Sequence, residues 1–328
     1  MCKASCWFSG WLGLGSVSQG GGMFTYSIQR LAIAVPVLLL LAALTFFLLR
    51  LAPGGPFDGD VVWPPEVQAN ILKKYELDQP VHIQFTHWLG DVVRGDLRES
   101  FQYLGRPVRE IISDALPASL FLGSMALLLA CASGITLGAV AAWKQNTWID
   151  HTAMFVAISG ISLPTYLVAT VLILIFSLWL DWFPPALWDE PGSAVLPIIT
   201  LAWRPLAMIA RLTRTMMIET FSADYVRTAY SKGMSESAVV FKHVLKNSLI
   251  PVITLLGPIT ASLVTGSFLV EIVFQVPGIG KHFVQAVINR DYPLVMGVTL
   301  VYGVVLILCN LAVDLIYAWV DPRIRLKG

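Results

Sequence analysis

Residues 31–50 read LAIAVPVLLLLAALTFFLLR, and the single charge in this stretch, Arg50, is its last residue. A helix of about 20 apolar residues is long enough to cross the hydrocarbon core of a bilayer, where each backbone donor and acceptor must be satisfied without water. The stretch therefore predicts a transmembrane helix. The whole chain fits this environment, since 56% of its 328 residues are hydrophobic and 13% are charged, against about a quarter charged in soluble domains.

Five further segments have the same length and character. They lie at approximately 118–143, 152–180, 194–212, 250–274 and 293–320. The segment at 194–212 is the weakest of these predictions, because Arg204 and Pro205 interrupt its apolar pattern. We therefore predict an all-α membrane protein with six transmembrane helices. An even number of spans places both termini on the same side of the membrane.

The distribution of basic residues predicts which side that is. They concentrate between the fourth and fifth predicted spans and after the sixth: Arg211, Arg214, Arg227, Lys232, Lys242, Lys246, Arg323, Arg325 and Lys327. Short loops rich in Lys and Arg stay in the cytoplasm, whereas Trp and Tyr gather at the interfaces. The loop 182–193 has no Lys or Arg and contains Trp182, Phe183 and Trp188. We therefore predict cytoplasmic termini and an external 182–193 loop.

Two segments lie outside this pattern of spans. Residues 1–22 are rich in Gly and Ser and resemble no signal peptide, so we interpret them as a non-native or disordered extension of a protein that starts at Met23. Residues 51–117 are predicted to form a larger periplasmic loop with two amphipathic helical stripes, each expected to rest on the membrane surface or on a partner protein. The stripes are Val81, Phe85, Trp88 and Val92, and then Val108, Ile111, Ile112 and Ala115.

Motifs that indicate catalysis are missing from the sequence. It contains no G-x-x-x-x-G-K-[ST] phosphate loop, no H-E-x-x-H and no G-x-S-x-G, so we predict no enzyme and no ATPase site on this chain. The formal net charge of +1 indicates no nucleic-acid partner. Neither the histidines nor the cysteines have metal-ligand spacing, so we predict no bound metal or cofactor and interpret the histidines as solvated surface residues. The histidines are His82, His87, His151, His243 and His282. The cysteines are Cys2, Cys6, Cys131 and Cys309.

The stretch 224–251 reads DYVRTAYSKGMSESAVVFKHVLKNSLIP, which is too polar for a span and too regular for a linker. It predicts two short helices. The first covers about 219–231 and stops at Gly233, where φ can become positive; the second starts after Ser235. The second helix is expected to project an apolar surface edged by cations, either to dock on a partner protein or to bind anionic headgroups. That surface comprises Val239, Val240, Phe241, Val244, Lys242, His243 and Lys246.

This stretch resembles the EAA loop of binding-protein-dependent ABC importer permeases, and the loop as a whole is assigned to 213–249. Arg227, Thr228 and Ala229 stand at the EAA positions, Gly233 at the glycine of the motif and Pro251 at the start of the fifth span. R-T-A is the usual form in the peptide and nickel branch. Other stretches are similar to the same branch: RLAPGGPF (50–57), PPEV (64–67), KYELDQP (74–80), KQNTWID (144–150), VPGIGKHF (276–283), NRDYPLV (289–295) and VDPRIR (320–325).

Together these stretches look most like the B subunits of oligopeptide permeases, although several are shared with dipeptide, nickel and glutathione permeases. The resemblance implies the permease domain of a type I ABC importer, 23–328, in the bacterial inner membrane. It implies a second permease, two ATPases that bind ATP and Mg²⁺, and a periplasmic binding protein as partners. It also implies that the residues coupling this chain to an ATPase are Arg227, Thr228, Ala229, Gly233, Phe241, His243, Lys246 and Pro251.

Two further groups of residues are candidates for function. The turn with Pro277, Gly278, Gly280 and Phe283 is placed where an outer gate or a binding-protein contact could form. Ionisable residues inside spans are expensive to bury and often functional, and here they are Arg204, Glu271 and Asp314. Glu271 and Asp314 are expected near helix ends in hydrated or hydrogen-bonded structural roles.

Two rival classes of function predict features that we do not find. An ATP-independent secondary transporter predicts inverted repeats around a midplane site, and no clear internal repeat is visible. A membrane enzyme predicts nucleophiles, bases or metal ligands converging at one depth, and the sequence offers none.

Overall fold

The computed structural model describes residues 23–51, 78–264 and 268–320, with isolated positions at 64, 66, 67, 70, 73 and 76. For residues 23–26, 264 and 316–320 it describes the backbone alone. The predicted extension 1–22, the basic tail after residue 320 and most of the stretch 52–77 lie outside the described residues.

The described part of the chain is built from α-helices. In chain order these are α1 (Met23–Leu51), α2 (Val81–Val93), α3 (Val108–Trp143), α4 (Trp148–Ser162), α5 (Thr165–Leu172), α6 (Val195–Phe221), α7 (Asp224–Ser231), α8 (Glu236–Val239), α9 (Lys246–Val264), α10 (Phe268–Val273), α11 (Ile279–Ile288) and α12 (Tyr292–Val320). A π-helical segment, Ile173–Trp179, continues α5, and a second, Val240–Leu245, joins α8 to α9.

Five of the described helical segments are long and apolar enough to cross a membrane, and α4 with α5 makes a sixth when this bent pair is counted as one span. The prediction of an all-α membrane protein is confirmed. The predicted span at 152–180 is not straight, because the chain turns by 115° between α4 and α5. Leu163 there is extended, with ψ of 132°, since the Pro164 ring disfavours helical geometry in the residue before it.

The centre of the fold is the contact of α3 with α6, the most extensive between any two described helices. The helix α3 carries a buried residue at every fourth position, most of them small: Ala118, Leu122, Ala126, Ala130, Gly134, Gly138 and Ala142. A Cβ on Gly138 would lie 2.4 Å from the carbonyl oxygen of Ala210, so the two backbones approach as closely as glycine permits. Small residues allow such approach between helices in a membrane.

One end of the bundle is closed by α2, α10 and α11 with the start of α12. Here α3 begins at Val108, ten residues before the predicted span, and Val108 packs in one apolar cluster with Ile279 and Leu294. The second predicted stripe, 108–115, therefore lies inside the bundle, and its placement on the membrane surface or a partner was wrong. The placement of the first predicted stripe, which lies on α2, was wrong for the same reason, because Trp88 is buried against Phe46 of α1.

Two other predicted boundaries also differ from the structure. The helix α6 continues to Phe221 and accommodates Pro205 without a break, since that proline is buried in the packed interface. The first predicted coupling helix therefore starts at Asp224, and residues 219–221 belong to α6. The fifth span is described as far as Val264, and Glu271 lies in α10.

Candidate functional site

The corner between α7 and α8 is formed at Gly233, as the sequence predicted. Gly233 has φ of +77°, and a Cβ built on it would meet nothing within 4 Å. The amide of Gly233 donates to the carbonyl of Tyr230 (2.9 Å), and the amide of Met234 donates to that of Ala229 (3.4 Å). This pair of bonds is a Schellman motif, which ends a helix with a left-handed residue. A side chain at position 233 would have free space, so it is the positive φ alone that favours glycine there.

The apolar side of this corner packs into the bundle. Val226, Val239 and Val244 are each 0% exposed and form one cluster with Met217 of α6 and Ala142 of α3. The expectation that the valines project outward as part of a docking surface was therefore wrong. They anchor the corner, because together they bury apolar side chains against the ends of two long helices.

The second coupling helix is not a separate short element. From Glu236 the helix runs through the π-helical turn Val240–Leu245 and into α9, and the span that it forms extends to Leu263. Pro251 consequently lies inside a continuous helix and does not start it. A displacement of α8 would therefore be transmitted directly to α9, because the two belong to one continuous helix.

The outward side of the corner exposes aromatic and cationic residues. We call this surface the 225–246 patch, and it comprises Tyr225, Arg227, Thr228, Tyr230, Phe241, Lys242 and Lys246. Phe241 is 61% exposed, and its ring meets that of Trp143 edge to face with centroids 6.2 Å apart. Of the residues assigned to coupling, Ala229 is buried and His243 half-buried. Their role in coupling stays a prediction.

Side-chain hydrogen bonds hold the patch in position. Trp143 Nε1 donates to Glu236 Oε1 (2.7 Å), which ties α3 to the start of α8. Asn247 Nδ2 donates to the Tyr225 hydroxyl (3.1 Å), which joins α9 to α7. A docked helix transmits movement only if it cannot slide, and these bonds together with the buried valines restrain it.

An ion pair that the sequence analysis did not predict joins α4 to α6, three residues before Met217 of the corner's apolar cluster. Asp150, at the start of α4, is 1% exposed. Arg214 of α6 donates to it through Nε (2.6 Å to Oδ1) and Nη2 (2.7 Å to Oδ2). The backbone amide of Asn146 donates to Oδ2 as well (3.0 Å). The two residues are 64 positions apart, so sequence spacing could not pair them, and Arg214 had been read only as a cytoplasmic charge.

The second candidate group surrounds a buried carboxylate at the other end of the bundle. Glu271 is 1% exposed, and it accepts hydrogen bonds from Ser119 Oγ and from the amide of Lys281, both at 2.8 Å. Ser119 Oγ accepts in turn from the amide of Ile279 (2.9 Å). The carboxylate therefore satisfies the N-terminus of α11, where negative charge is favourable.

The two glycines of this turn leave room for the Glu271 carboxylate. A Cβ on Gly278 would lie 2.3 Å from Glu271 Cδ, and one on Gly280 would lie 2.9 Å from Oε2. Phe283 is half-buried against Tyr302, with ring centroids 5.9 Å apart. Gly278, Gly280 and Phe283 thus belong to a packed joint, whereas Pro277 is exposed. The part of these four residues in a gate or a binding-protein contact stays a prediction.

Two histidines, His243 and His282, are half-buried and so differ from their interpretation as solvated surface residues. His282 of α11 is half-buried, its Nδ1 has no hydrogen-bond partner, and its ring meets that of Tyr103. Burial lowers the pKa of the His282 imidazole, and the nearby charges of Lys281 and Arg106 lower it further. Among the described residues, no group of three His, Cys, Asp or Glu could hold a metal ion.

A further buried carboxylate, which sequence reasoning missed, starts the last span. Asp291 is 0% exposed and caps α12 by accepting from the amide of Leu294 (3.2 Å). It also accepts from the hydroxyl of Ser100 and from the amide of Phe101 (3.1 Å), so it ties the loop before α3 to the start of α12. The position of Asp291 one residue before a helix is the signal that could have identified it.

The ionisable residues predicted inside spans have different environments. Asp314 pairs with Arg30 of α1 at 3.0 Å, so its structural role involves an ion pair between two spans. Arg204 is exposed on α6, away from both ends of the helix.

Comparison with known proteins gives matches along nearly the whole chain. Residues 134–326 match the family described as binding-protein-dependent transport system inner membrane component, and residues 23–122 match the N-terminal family of the same systems. Among solved structures, a chain of the MetNI methionine ABC transporter in an inward-facing conformation is similar in fold. It has a TM-score of 0.54 and 17% identity, and the match covers 64% of this chain and 96% of that one.

Several curated proteins are similar over their full length. The dipeptide transport system permease protein DppB of Bacillus subtilis is 41% identical over 93% of this chain and 99% of its own length. The oligopeptide transport system permease proteins OppB of Haemophilus influenzae and Escherichia coli K12 are 41% and 39% identical, each over 92% of this chain and 100% of their own length. The chain therefore belongs to the family of binding-protein-dependent transport system inner membrane components, the multi-pass permease subunits of ABC importers.

Proposed function

We propose that this chain is one permease half of an ATP-driven importer that carries peptides, and oligopeptides in particular, into the cytoplasm. The observation that carries the proposal is the 225–246 patch, an exposed aromatic and cationic surface on a corner that is packed into the bundle. Family membership argues against the ATP-independent secondary transporter. The peptide substrate is supported by the relatives, which are named for dipeptide and oligopeptide transport.

The proposed partners follow from the absence of a phosphate loop in the sequence. Two ATPase subunits bind ATP and Mg²⁺, one against the 225–246 patch, and a second permease completes the pore. A binding protein delivers the peptide at the opposite end, where α2 and α11 lie. In this arrangement α7, α8 and both termini are cytoplasmic, and the segment 51–117 is periplasmic.

The fold offers a direct route from the patch to the rest of the bundle. The corner packs on α3 and α6 through Val226, Val239 and Val244. The helix α3 has 36 residues and is about 54 Å long, and its other end packs on α11 and α12. Closure of the ATPase dimer would therefore move both ends of the bundle together as a rigid body.

Crosslinking in native membranes tests the proposal. A Phe241→Cys variant is treated with a thiol crosslinker with and without ATP, and uptake of a labelled dipeptide and a labelled longer peptide is measured in parallel. We expect a nucleotide-sensitive crosslink to the ATPase and ATP-dependent uptake of the longer peptide. Val93→Cys is the matched control, because Val93 is 82% exposed at the other end of the bundle, and we expect no crosslink there.

The possible outcomes separate the alternatives. Absence of a crosslink at position 241, with solute uptake persisting after deletion of the ATPases, would overturn the importer assignment. Uptake of the dipeptide alone would keep the importer and favour the dipeptide permease. Uptake of neither peptide would favour the alternative that the chain transports nickel or glutathione, like other permeases of the same branch.

A further inference from the structure

One face of α6 exposes polar residues from Arg204, near the middle of the helix, to Glu219, near its end. Arg204, Arg211, Thr215 and Glu219 are exposed, with Met208 half-buried among them. These positions are separated by 4, 3, 4 and 4 residues, which places them along one side of an α-helix. Arg204 is about 13 Å from the start of α6 and Arg211 about 15 Å from its end, at a rise of about 1.5 Å per residue. Both therefore lie inside a helix that is long and apolar enough to cross a membrane.

Neither arginine has an ion-pair partner within the part of the chain that the structure describes. Two other cations in the described spans do: Arg30 pairs with Asp314, and Arg214 pairs with Asp150. An unpaired guanidinium in contact with lipid is strongly unfavourable, and charged residues in spans face protein or a water-filled cavity.

The surface of α1 shows what a lipid-facing span looks like in this protein. Its exposed residues include Leu39, Leu40, Leu44 and Leu48. The exposed face of α6 has the opposite character, so it does not face lipid. The face is also closed at one end, because Pro197, Thr200 and Leu201, which lie on the same side one and two turns earlier, are buried. From Arg204 to the end of α6 that adjoins the 225–246 patch, the side chains on this face are accessible.

From this geometry we infer that the exposed face of α6 lines the translocation pathway, and that Arg204 and Arg211 bind the C-terminal carboxylate of a peptide in transit. This inference rests on the proposed function. Every unmodified peptide ends in a carboxylate whatever its side chains are, and a guanidinium binds a carboxylate through two parallel hydrogen bonds. The pathway can thereby hold peptides of different sequence through a group that they share.

The spacing of the two arginines suits passage as well as binding. They are seven residues apart, or about 10 Å along the helix axis, so a carboxylate released by one can be taken by the other. Passage requires sites that are weak or multiple, because a single tight site would retain the solute.

The first test uses the complete importer, co-purified with its partner subunits and reconstituted in liposomes. Uptake is compared for one peptide with a free C-terminus and its C-terminal amide, in the native chain, in Arg204→Gln and in Arg211→Gln. Uptake by each variant is divided by uptake of the same peptide by the native chain. Any preference of the binding protein for the free peptide or for its amide therefore cancels. We expect uptake of the free peptide to fall roughly tenfold and uptake of the amide to change little. Arg204→Lys, which keeps the charge, should recover part of the loss.

A matched control removes an exposed arginine outside the spans. Arg109→Gln, in the first turn of α3, should leave uptake of both peptides unchanged. Failure of the native chain to import any peptide would refute the proposed function itself. Peptide import that neither Arg204→Gln nor Arg211→Gln affects would overturn the inference alone. Equal loss of both peptide forms, together with loss of the second permease from the complex, would also overturn it, since the arginines would then pair with that subunit.

The second test does not depend on transport. Single cysteines replace Arg204, Thr215 and, as the lipid-facing control, Leu44, in a background without native cysteines. A charged, water-soluble thiol reagent should modify Arg204→Cys and Thr215→Cys at least tenfold faster than Leu44→Cys. A rate at Arg204→Cys as slow as at the control, whatever the rate at Thr215→Cys, would show that no aqueous pathway reaches this face and would overturn the inference.

Discussion

At the scale of single residues, the half of the bundle next to the 225–246 patch depends on the ion pair of Asp150 with Arg214. Asp150 is buried and makes three hydrogen bonds, two of them to the guanidinium of Arg214. A buried pair contributes little net stability compared with an apolar pair, but removal of one partner leaves an uncompensated charge. Loss of either side chain is therefore expected to destabilise the packing of α4 against α6.

This property gives a prediction for single and double variants. Arg214→Gln leaves the Asp150 carboxylate buried without its cation, and we expect the importer complex to lose about 3–5 kcal/mol of stability. Asp150→Asn/Arg214→Gln, which leaves no buried charge at either position, should lose less than the sum of the two single changes. Thermal unfolding of the detergent-purified complex measures each step of this double-mutant cycle.

The control for the cycle is an ion pair on the surface. Arg106 and Asp114 pair through side chains that are 40% and 61% exposed, so Arg106→Gln should cost less than about 1 kcal/mol. Strict additivity of the Asp150 and Arg214 changes would mean that the two side chains do not interact in the folded protein.

At the scale of the helices, the contact between α3 and α6 has no room for an added methyl group. A Cβ on Gly138 would lie 2.4 Å from a backbone oxygen of α6, which cannot move without the helix. We expect Gly138→Ala to lower the stability of the complex by about 1–3 kcal/mol, as overpacked cores do. Thermal unfolding and the yield of assembled complex from membranes provide the measurement.

The same substitution elsewhere in the chain separates packing from helix propensity. Gly90 lies in α2, and a Cβ there would meet nothing within 4 Å. Gly90→Ala should be neutral or stabilising, because alanine favours a helix over glycine by about 1 kcal/mol. Equal stability of the two variants would indicate that α3 and α6 can separate freely, contrary to the structure.

The helices also show what could be predicted from the sequence. The six apolar segments were predictable because lipid requires the same composition of every span, and the Gly233 corner was predictable because few residues other than glycine adopt positive φ. The ends of the helices were not. Composition changes where a helix leaves the lipid, whereas α3 begins ten residues earlier, at Val108, because its first turns pack on α11 and α12.

The direction in which side chains point was equally unpredictable. The valines after Ser235 form an apolar stripe that could face a partner protein or the bundle, and the pattern is the same in both cases. The structure turns Val239 and Val244 inward and leaves Phe241 exposed. Contacts between residues far apart in sequence, such as Ser119 with Glu271, leave no periodic signal at all.

At the scale of the whole molecule, the two ends of the bundle differ in chemistry, and this difference predicts the topology of the chain. The end with α7 and α8 carries most of the basic residues near the spans, whereas the loop 182–193 has none. Because positive loops remain in the cytoplasm, we expect Ser231 and Asp189, both exposed, on opposite sides of the membrane. In a background without native cysteines, an impermeant thiol reagent added to cells with permeabilised outer envelopes should label Asp189→Cys and spare Ser231→Cys. Inside-out vesicles should reverse the result. Labelling of both positions from one side would contradict the proposed orientation and remove the 225–246 patch from the reach of any cytoplasmic ATPase.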